Sequence, residues 1–341
     1  MHDNRLSVVC TARNDNHGGD LLHRMRLFVE GLCNQCDRWQ LAGELIVVDW
    51  NPPGDRPPLA EAISWPVARG GLVIRIITVP AAVHAHLEYA DKLPLFQMVA
   101  KNVGIRRARE RFVLATNIDV LFSDRLVRRM FSGRMRTDRM YRVDRHDCPT
   151  SGLLEMPAGK RLEHCRRNTI RINRRDGSLN LQTGHFHVIY PAYTWRSRFH
   201  EYCQDHGWHA VTSRCRLHTN ACGDFTLMAR ERWHELHGYA EFKMYSMHLD
   251  SLLCHAAHNR GIREVVWGGD CRVYHLEHQQ GSGWSPEGEK ALNARLDRAG
   301  VPQLSHEQFQ QWAIGMRRDG GMIFNQSDWG FGNDIFPEHC C

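Results

Sequence analysis

The stretch KNVGIRRARERFVLATNID, residues 101–119, decides the fold class because a helical pattern leads directly into a buried strand. Residues 95–110 have helical spacing with a basic outer face, and the apolar run that follows is typical of a strand. This run breaks at Asn117 and Asp119. Residues two apart on an extended chain point to the same side, so both side chains can face one ligand. An Asx-rich turn that only closes the strand is the alternative.

The same alternation of strand and helix continues toward the amino terminus. Residues 6–12, 44–50 and 72–80 have strand patterns, and a helical pattern with Leu22, Met25, Val29 and Leu32 on one face follows the first of them. Alternation of this kind indicates a parallel sheet wound as α/β, in which ligands bind beyond the carboxyl ends of the strands. Polar residues stand at three such ends, at 11–15, at Asp49 and at 117–119.

Composition excludes several classes of protein. The 341 residues are 42% hydrophobic and 24% charged, which is typical of a globular chain. The net charge of +6 suits phosphate-bearing small molecules, and it is too small and too spread to require nucleic acid. No nucleic-acid partner is therefore predicted.

Targeting signals are also missing from the sequence. The first twenty residues contain no apolar core of a signal peptide, and no run approaches the roughly 18 apolar residues of a membrane span. A cytoplasmic protein is expected, with peripheral contact to the inner membrane left open. The pair Cys33 and Cys36 is predicted to pack within a helix, with metal or redox work as the alternative. For Cys340-Cys341, lipidation and a disordered tail both remain open.

Four segments are predicted along the chain. They are a nucleotide-sugar half at 1–131, an acceptor-binding insertion at 132–219, a second half at 220–284, and a helical extension with a tail at 285–341. The insertion contains aromatic residues that could stack on sugars and arginines that could meet phosphate or an anionic membrane: Tyr190, Tyr193, Trp195, Trp208, Arg166, Arg167, Arg171, Arg174 and Arg175. Packing of the aromatics into a subdomain, and a solvated or nucleic-acid-binding charged loop, are the alternatives. Residues 263–278 are predicted to form two short strands, and the tail two helices.

The motifs in this order resemble a known family. SVVCTARND, ELIVVDWNP and KNVGIRRARERFVLATNID are similar to the nucleotide-sugar half of a GT-A glycosyltransferase close to family 2. GDFTLMARERWHELHGYAEF and HLDSLLCHAAHNRG resemble segments of the second half. The resemblance covers residues 6–124 and 220–280. It implies a mixed, mainly parallel α/β sheet flanked by helices.

The resemblance also implies a donor site. The turn after the first strand, with Thr11, Ala12 and Arg13, would hold the base, and Asp49 would meet the nucleoside. The nucleotide-binding residues expected from the later motifs are Lys101, Asn102, Asn117, Asp119 and Asp224. Asn117 stands where the family has the first Asp of an Asp-x-Asp pair, so we expect it to hydrogen-bond ribose or a metal-bound water. Asp224 would hold sugar hydroxyls, with a strand-edge turn as its alternative.

A divalent metal, Mn²⁺ or Mg²⁺, is the implied cofactor. It would neutralise the charge that grows on the leaving diphosphate. Asp119 is the expected carboxylate ligand, and His275 matches a late histidine of several GT-A enzymes, with His278 as the fallback. Imidazole favours Mn²⁺ over Mg²⁺. A packing or surface role is the alternative for either histidine.

Asp250 is the expected catalytic base, at the second acid of the family's Glu-Asp pair, where His248 replaces the first. Its alternative role is to cap the following helix. The resemblance implies a metal-dependent, inverting transferase (EC 2.4) that moves a sugar from a nucleotide-sugar, with UDP favoured, to a hydroxyl of a glycan or another acceptor. A sugar-phosphate nucleotidyltransferase and a catalytically silent sugar-binding protein are the alternatives.

Overall fold

The computed structural model describes residues 5–67, 70–188, 217–278 and 286–341. Its centre is four parallel strands in the order β3-β2-β1-β4, which are β1 (Leu6–Ala12), β2 (Gly43–Trp50), β3 (Leu72–Val79) and β4 (Phe112–Ala115). Every residue of β1 and β2 is buried, as expected for strands covered on both faces. The register places Ala12 opposite Asp49, so the predicted polar ends of β1 and β2 lie side by side.

Helices cover both faces of these strands. Helix α1 (Leu21–Trp39) packs on one face, and α4 (Gln97–Arg106) packs on the other, after the short helices α2 (Leu59–Ala62) and α3 (Ala81–Ala85). Gly104 explains the glycine in the α4 motif. A Cβ at this position would lie 2.5 Å from Cγ1 of Val9, so only glycine lets α4 approach the sheet this closely.

The second half extends the sheet with mixed strand directions. Three elements follow β4, namely β5 (Val120–Phe122), α5 (Asp124–Met130) and β6 (Arg139–Cys148). Helix α6 (Ala158–Arg167) leads to an antiparallel ribbon of β7 (Arg171–Asn173), β8 (Gly177–Asn180) and β9 (Phe186–Val188). Strand β10 (Thr226–Ala229) then pairs antiparallel with both β4 and β6, and joins the two halves into one sheet.

Residues 263–278 were predicted as two strands, and this prediction is wrong. After α7 (Arg230–Glu235) and α8 (Leu249–Asn259), the chain forms one strand, β11 (Arg263–Leu276), parallel to β6. The register shifts between Trp267 and Arg272, where Gly268 and Gly269 allow a bulge, and Gly269 has a φ of 66°. The glycines therefore bend the strand without ending it.

The carboxyl-terminal region is ordered and completes the core. The two predicted helices are present as α9 (Pro286–Ala299) and α10 (His306–Asp319), and Trp329 is buried beyond them. Strand β12 (Glu338–Cys340) pairs antiparallel with β3 at the sheet edge, and the Cys341 amide donates to the Ile74 carbonyl at 3.0 Å. The disordered-tail alternative for Cys340-Cys341 is therefore wrong.

The fold class is confirmed as a mixed α/β sheet with a parallel centre and flanking helices. Cys33 and Cys36 are buried in α1 as helix-packing residues, and burial raises the pKa of both thiols to about 12. Within the described ranges, no helix is long and apolar enough to cross a membrane. The four segment boundaries stay predictions, although β6 lies inside the range predicted as an insertion and is paired in the central sheet. Tyr190, Tyr193, Trp195 and Trp208 lie outside the described residues.

Candidate metal and nucleotide site

Three side chains that can ligate a metal meet beyond the end of β4. Asp119 follows β4, and His275 and His278 lie at the end of β11 and just after it. One ligand atom from each lies within 4.8 Å of the others. Asp119 Oδ2 is 3.3 Å from His278 Nε2 and 3.8 Å from His275 Nε2. The structure therefore brings together the expected carboxylate and both candidate histidines.

Sheet pairing explains this convergence. Strand β11 runs antiparallel to β5, with His275 opposite Val120, and the Leu276 amide donates to the Asp119 carbonyl at 2.8 Å. Asp119 is thus held beside the end of β11 by backbone hydrogen bonds. No local pattern in either segment encodes this pairing.

The residues present fit a divalent cation with some affinity for nitrogen. Asp119 Oδ1 is buried and has no hydrogen-bond partner among the described residues. Burial opposes ionisation of this carboxyl, but the hydrogen bond from His278 and the nearby His275 hold its pKa well below the usual range. One carboxylate and two imidazoles form a donor set that suits Mn²⁺ better than Mg²⁺.

Asp147, at the end of β6, orients one of these histidines, and the sequence analysis missed it. Its Oδ1 lies 3.3 Å from His275 Nδ1, on the side of the ring opposite the cluster. Arg145, Arg171 and Asn173 hold the same carboxylate, at 2.9, 3.0 and 3.1 Å. A carboxylate on Nδ1 fixes the imidazole tautomer and leaves Nε2 for a metal.

Asn117 is hydrogen-bonded at both ends of its amide. Its Nδ2 donates to Asp224 Oδ1 at 2.5 Å, and its Oδ1 accepts from Gln97 Nε2 at 3.0 Å. Arg145 Nη1 contacts the other oxygen of Asp224 at 2.8 Å. An aspartate at 117 would face the Asp224 carboxylate at hydrogen-bond distance, so the neutral amide fits this partner. The expected contacts of Asn117 with ribose or a metal-bound water stay predictions.

The Asn117→Asp substitution should therefore destabilise the fold. Two facing carboxylates lose a hydrogen bond and repel each other, and we expect the free energy of unfolding at pH 7 to fall by about 1–3 kcal/mol. Urea denaturation measures this change. The Asn117→Asp/Asp224→Asn double variant, which exchanges the two groups, should recover most of the loss. A single variant as stable as the wild type would contradict the explanation.

The ends of β1 and β2 form the second part of the site. Thr11 Oγ1 donates to the Val48 carbonyl at 2.9 Å, and Arg13 Nε donates to the Asn51 carbonyl at 2.7 Å. These two bonds tie the turn that follows β1 to the end of β2. Asp49 Oδ2 accepts from the Leu59 amide at 2.8 Å, whereas its buried Oδ1 has no partner in the described part of the chain.

Burial raises the pKa of Asp49 from 3.8 to about 6, against the opposing effects of the Leu59 hydrogen bond and of Arg13. The folded state therefore keeps a proton between these pH values that the unfolded state has lost, and this contribution to stability disappears as the pH rises through 6. For Asp49→Asn, the free energy of unfolding relative to wild type should increase by roughly 2–3 kcal/mol between pH 4 and pH 7. Denaturation of both proteins at each pH measures it. A constant difference between the two proteins would refute the raised pKa.

Lys101 and Asp250 lie near the Asp224 side of the site. Lys101 is fully buried, and its Nζ donates to the Gly223 carbonyl at 2.8 Å. Burial lowers the pKa of Lys101, while the nearby Asp224 and Asp250 act in the opposite direction. A Cβ on Gly223 would lie 3.1 Å from Asp250 Oδ2, so the carboxylate reaches over this glycine.

The helix-cap alternative for Asp250 is wrong. His248, with a φ of 66° and no side-chain cap hydrogen bond, occupies the N-cap position of α8, and Asp250 belongs to the first helical turn. Asn102 is also engaged within the protein. Its amide contacts Tyr239 and the Glu241 carboxylate at 2.8 and 2.9 Å, and its nucleotide-binding role stays a prediction.

The loop between β1 and α1 covers the metal cluster. A Cβ on Gly18, whose φ is 73°, would lie 2.6 Å from His278 Nδ1, so a side chain at this position would collide with the ring. Arg24, which is buried, donates to the Gly19 carbonyl and to the His17 carbonyl, the latter at 2.8 Å. Arg24 therefore holds this loop in place through hydrogen bonds to two of its carbonyls. Arg24 was not predicted from the sequence, where the Gly18-Gly19 pair was the available signal.

Most of the arginines between 166 and 175 already have carboxylate partners. Arg166 and Arg167 contact Glu163, and Arg175 contacts Glu264. Arg171 supports the metal cluster through Asp147. To bind phosphate or a membrane, these arginines would have to exchange their present carboxylate partners for the new anion.

Comparison with solved structures finds the crystal structure of GalNAc-T7 with UDP, GalNAc and Mn²⁺, at a TM-score of 0.49 and 14% identity, covering 97% of this chain and 56% of that chain. The chain thus spans little more than half the length of that structure. The crystal structure of a mycobacterial protein matches at a TM-score of 0.35 and 12% identity, covering 88% of this chain and 76% of that chain. The catalytic domain of Drosophila β1,4-galactosyltransferase 7 in complex with xylobiose matches at a TM-score of 0.37 and 10% identity, covering 85% of this chain and 79% of that chain.

No protein-family model and no curated protein matches the chain. At these identities and TM-scores, the fold assignment rests on the sheet itself. Its parallel centre β3-β2-β1-β4 and its antiparallel extension through β10 and β6 form the mixed, mainly parallel α/β architecture that the GT-A-like motifs predict.

Proposed function

We propose that the chain is a metal-dependent glycosyltransferase that uses a nucleotide-sugar donor, with UDP favoured. The observation that carries the proposal is the cluster of Asp119, His275 and His278 at the carboxyl ends of the parallel strands. This cluster lies at the same end of the parallel strands as Asp49, the penultimate residue of β2, as a site for both the diphosphate and the nucleoside requires.

The donor would lie along this edge. The unpartnered Oδ1 of Asp49 is an acceptor for an N–H of a base such as uracil. Asp119, His275 and His278 would hold the cation, which supplies Lewis-acid stabilisation of the diphosphate when bound. Arg145 and Lys101 add positive charge behind this region, and Arg145 keeps Asp147 and Asp224 in place.

Asp250 is the proposed base in a single displacement. Its carboxylate would take the proton of the acceptor hydroxyl as that oxygen attacks the anomeric carbon and the bond to the diphosphate breaks. The configuration at the anomeric carbon would invert. The position of Asp250 over Gly223, close to Asp224 and Lys101, supports this role because both residues belong to the proposed donor side. A cytoplasmic location stays part of the proposal.

Release of UDP from a panel of UDP-sugars, with Mn²⁺ and with EDTA, tests the function. Mn²⁺-dependent release supports the transferase. Pyrophosphate production from a sugar phosphate and UTP would indicate a nucleotidyltransferase. Binding without turnover across the panel would indicate a silent sugar-binding protein. The Asn117–Asp224 contact gives a structural reason for an asparagine at position 117. An inactive protein is then not needed to explain this residue, which weakens the last alternative.

Asp147→Asn tests the arrangement behind His275 without removing a ligand. Loss of the orienting carboxylate typically costs about 10–100-fold in metal affinity. We expect the Mn²⁺ dissociation constant to rise by that factor in calorimetry, and thermal unfolding checks the fold, because the substitution also removes the charge that pairs with Arg145 and Arg171. The matched control is Asp138→Asn, which alters an exposed carboxylate paired with Arg136. Unchanged Mn²⁺ affinity in Asp147→Asn would remove its orienting role.

A further inference from the structure

A basic face lies away from the proposed site, at the start of β6. We define the basic face as the exposed arginines of the end of α1, of α5 and of the loop that leads into β6: Arg38, Arg125, Arg128, Arg129, Arg134 and Arg136. Trp39, which is half-buried, lies among them. None of these residues has a part in the proposed transfer reaction.

Ring contacts join the end of α1 and α5 into one surface. The guanidinium carbons of Arg38 and Arg128 lie 5.4 and 5.7 Å from the ring centroid of Trp39. That of Arg129 lies 4.9 Å from the centroid of Trp267. Arg38 also contacts Asp124, at the start of α5, at 3.1 Å. The end of α1 and the whole of α5 therefore present their arginines together.

The basic face carries an excess of positive charge. Asp124 pairs with Arg38, Asp138 pairs with Arg136, and Asp37 adds a third carboxylate at the end of α1, so six arginines against three aspartates leave three positive charges. The four arginines without a carboxylate partner in the described ranges are Arg125, Arg128, Arg129 and Arg134. Arginines left unneutralised on one surface attract an anionic partner.

We propose that the basic face binds an anionic phospholipid bilayer. Guanidinium groups bind phosphate headgroups, and a half-buried tryptophan with a polar edge is typical of membrane interfaces. Trp39, flanked by two arginines, combines both features. A soluble polyanion without bases that can stack would use the charge but would gain nothing from the tryptophan.

The geometry also shows how the basic face lies relative to the proposed site. Strand β6 begins at Arg139, next to the basic face, and reaches Asp147, behind the metal cluster, near its other end. Ten residues of strand span roughly 30 Å. This separation applies to the arginines beside the start of β6, whereas Arg125 follows Asp119 by only six residues, so a bound bilayer would come nearest to the proposed site at Arg125. This inference does not depend on the transferase activity.

Flotation of the full chain with vesicles tests the proposal. Vesicles contain 70% phosphatidylcholine and 30% phosphatidylglycerol, at 50 mM and 300 mM NaCl, with pure phosphatidylcholine in parallel. We expect binding to anionic vesicles that weakens in high salt, and little binding to neutral ones. Each arginine near an anionic surface contributes roughly 5-fold, so R125Q/R128Q/R129Q should lower the partition coefficient on the order of 100-fold.

A charge-matched control separates the basic face from net charge. R26Q/R298Q/R318Q removes three exposed arginines elsewhere and should bind vesicles like the wild type, within a few-fold. Thermal unfolding of both triple variants checks that each is folded. Equal loss of binding in both variants, equal binding to neutral vesicles, or binding to poly-L-glutamate without binding to vesicles would each overturn the proposal.

Discussion

Asp119→Ala abolishes sugar transfer if the proposed metal site is correct. Its carboxylate is the one anionic member of the Asp119, His275 and His278 cluster, and its Oδ2 lies 3.8 Å from Nε2 of His275 and 3.3 Å from Nε2 of His278. Loss of such a ligand removes several kcal/mol of charge stabilisation in the transition state, which corresponds to a fall in the rate on the order of 10³-fold. UDP release from the active donor measures the rate, and calorimetry with Mn²⁺ measures the loss of metal binding.

The control for this variant is Asp319→Ala. Asp319 is exposed and, within the described ranges, forms an ion pair only with Arg318 at the end of α10, so its loss should change neither Mn²⁺ affinity nor the rate. Thermal unfolding shows whether Asp119→Ala is folded, since removal of a buried carboxylate beside two histidines alters local packing. Full activity of the wild type in EDTA would refute the metal-dependent mechanism directly.

Asp250→Asn should lower kcat on the order of 10²-fold, as for loss of a general base. The substitution keeps the size of the side chain and its hydrogen bond, because the Ser251 amide donates to Oδ1 at 2.8 Å and an amide oxygen can accept in its place. Folding, UDP binding and Mn²⁺ affinity should therefore survive. Single-turnover kinetics with saturating donor and acceptor isolate the chemical step.

Two further results bear on the role of Asp250. Ser251→Ala is the matched control, since it perturbs the same helical turn without removing the carboxylate, and its kcat should stay within a few-fold of wild type. Proton NMR of the first product reads its anomeric configuration, and a single displacement requires inversion. Retention, or near wild-type turnover in Asp250→Asn, would remove Asp250 from this role. His248 would be the next residue to test.

The sequence alone indicated which segments form the strands of the parallel centre and which polar residues lie at the strand ends beside the site. The strands β1, β2 and β4 are short apolar runs buried on both faces, and helix α4, which precedes β4, has a helical period. Local sequence patterns are therefore sufficient to identify these strands and this helix. The polar ends at Thr11, Asp49 and Asp119 follow from the same reasoning. His275 required the family resemblance, because one histidine among 22 carries no local signal.

Tertiary structure decided how these residues are partnered. Asp147 lies on β6, inside a range predicted as an insertion, and only the parallel pairing of β6 with β11 places it behind His275. In the sequence, Asn117 is a departure from the Asp-x-Asp pair of the family. In the structure, its side chain is hydrogen-bonded to Asp224, which lies 107 residues later in the chain. Such contacts depend on the register between strands far apart in the chain. A period along one segment records which face is buried and carries no information about which residue lies opposite.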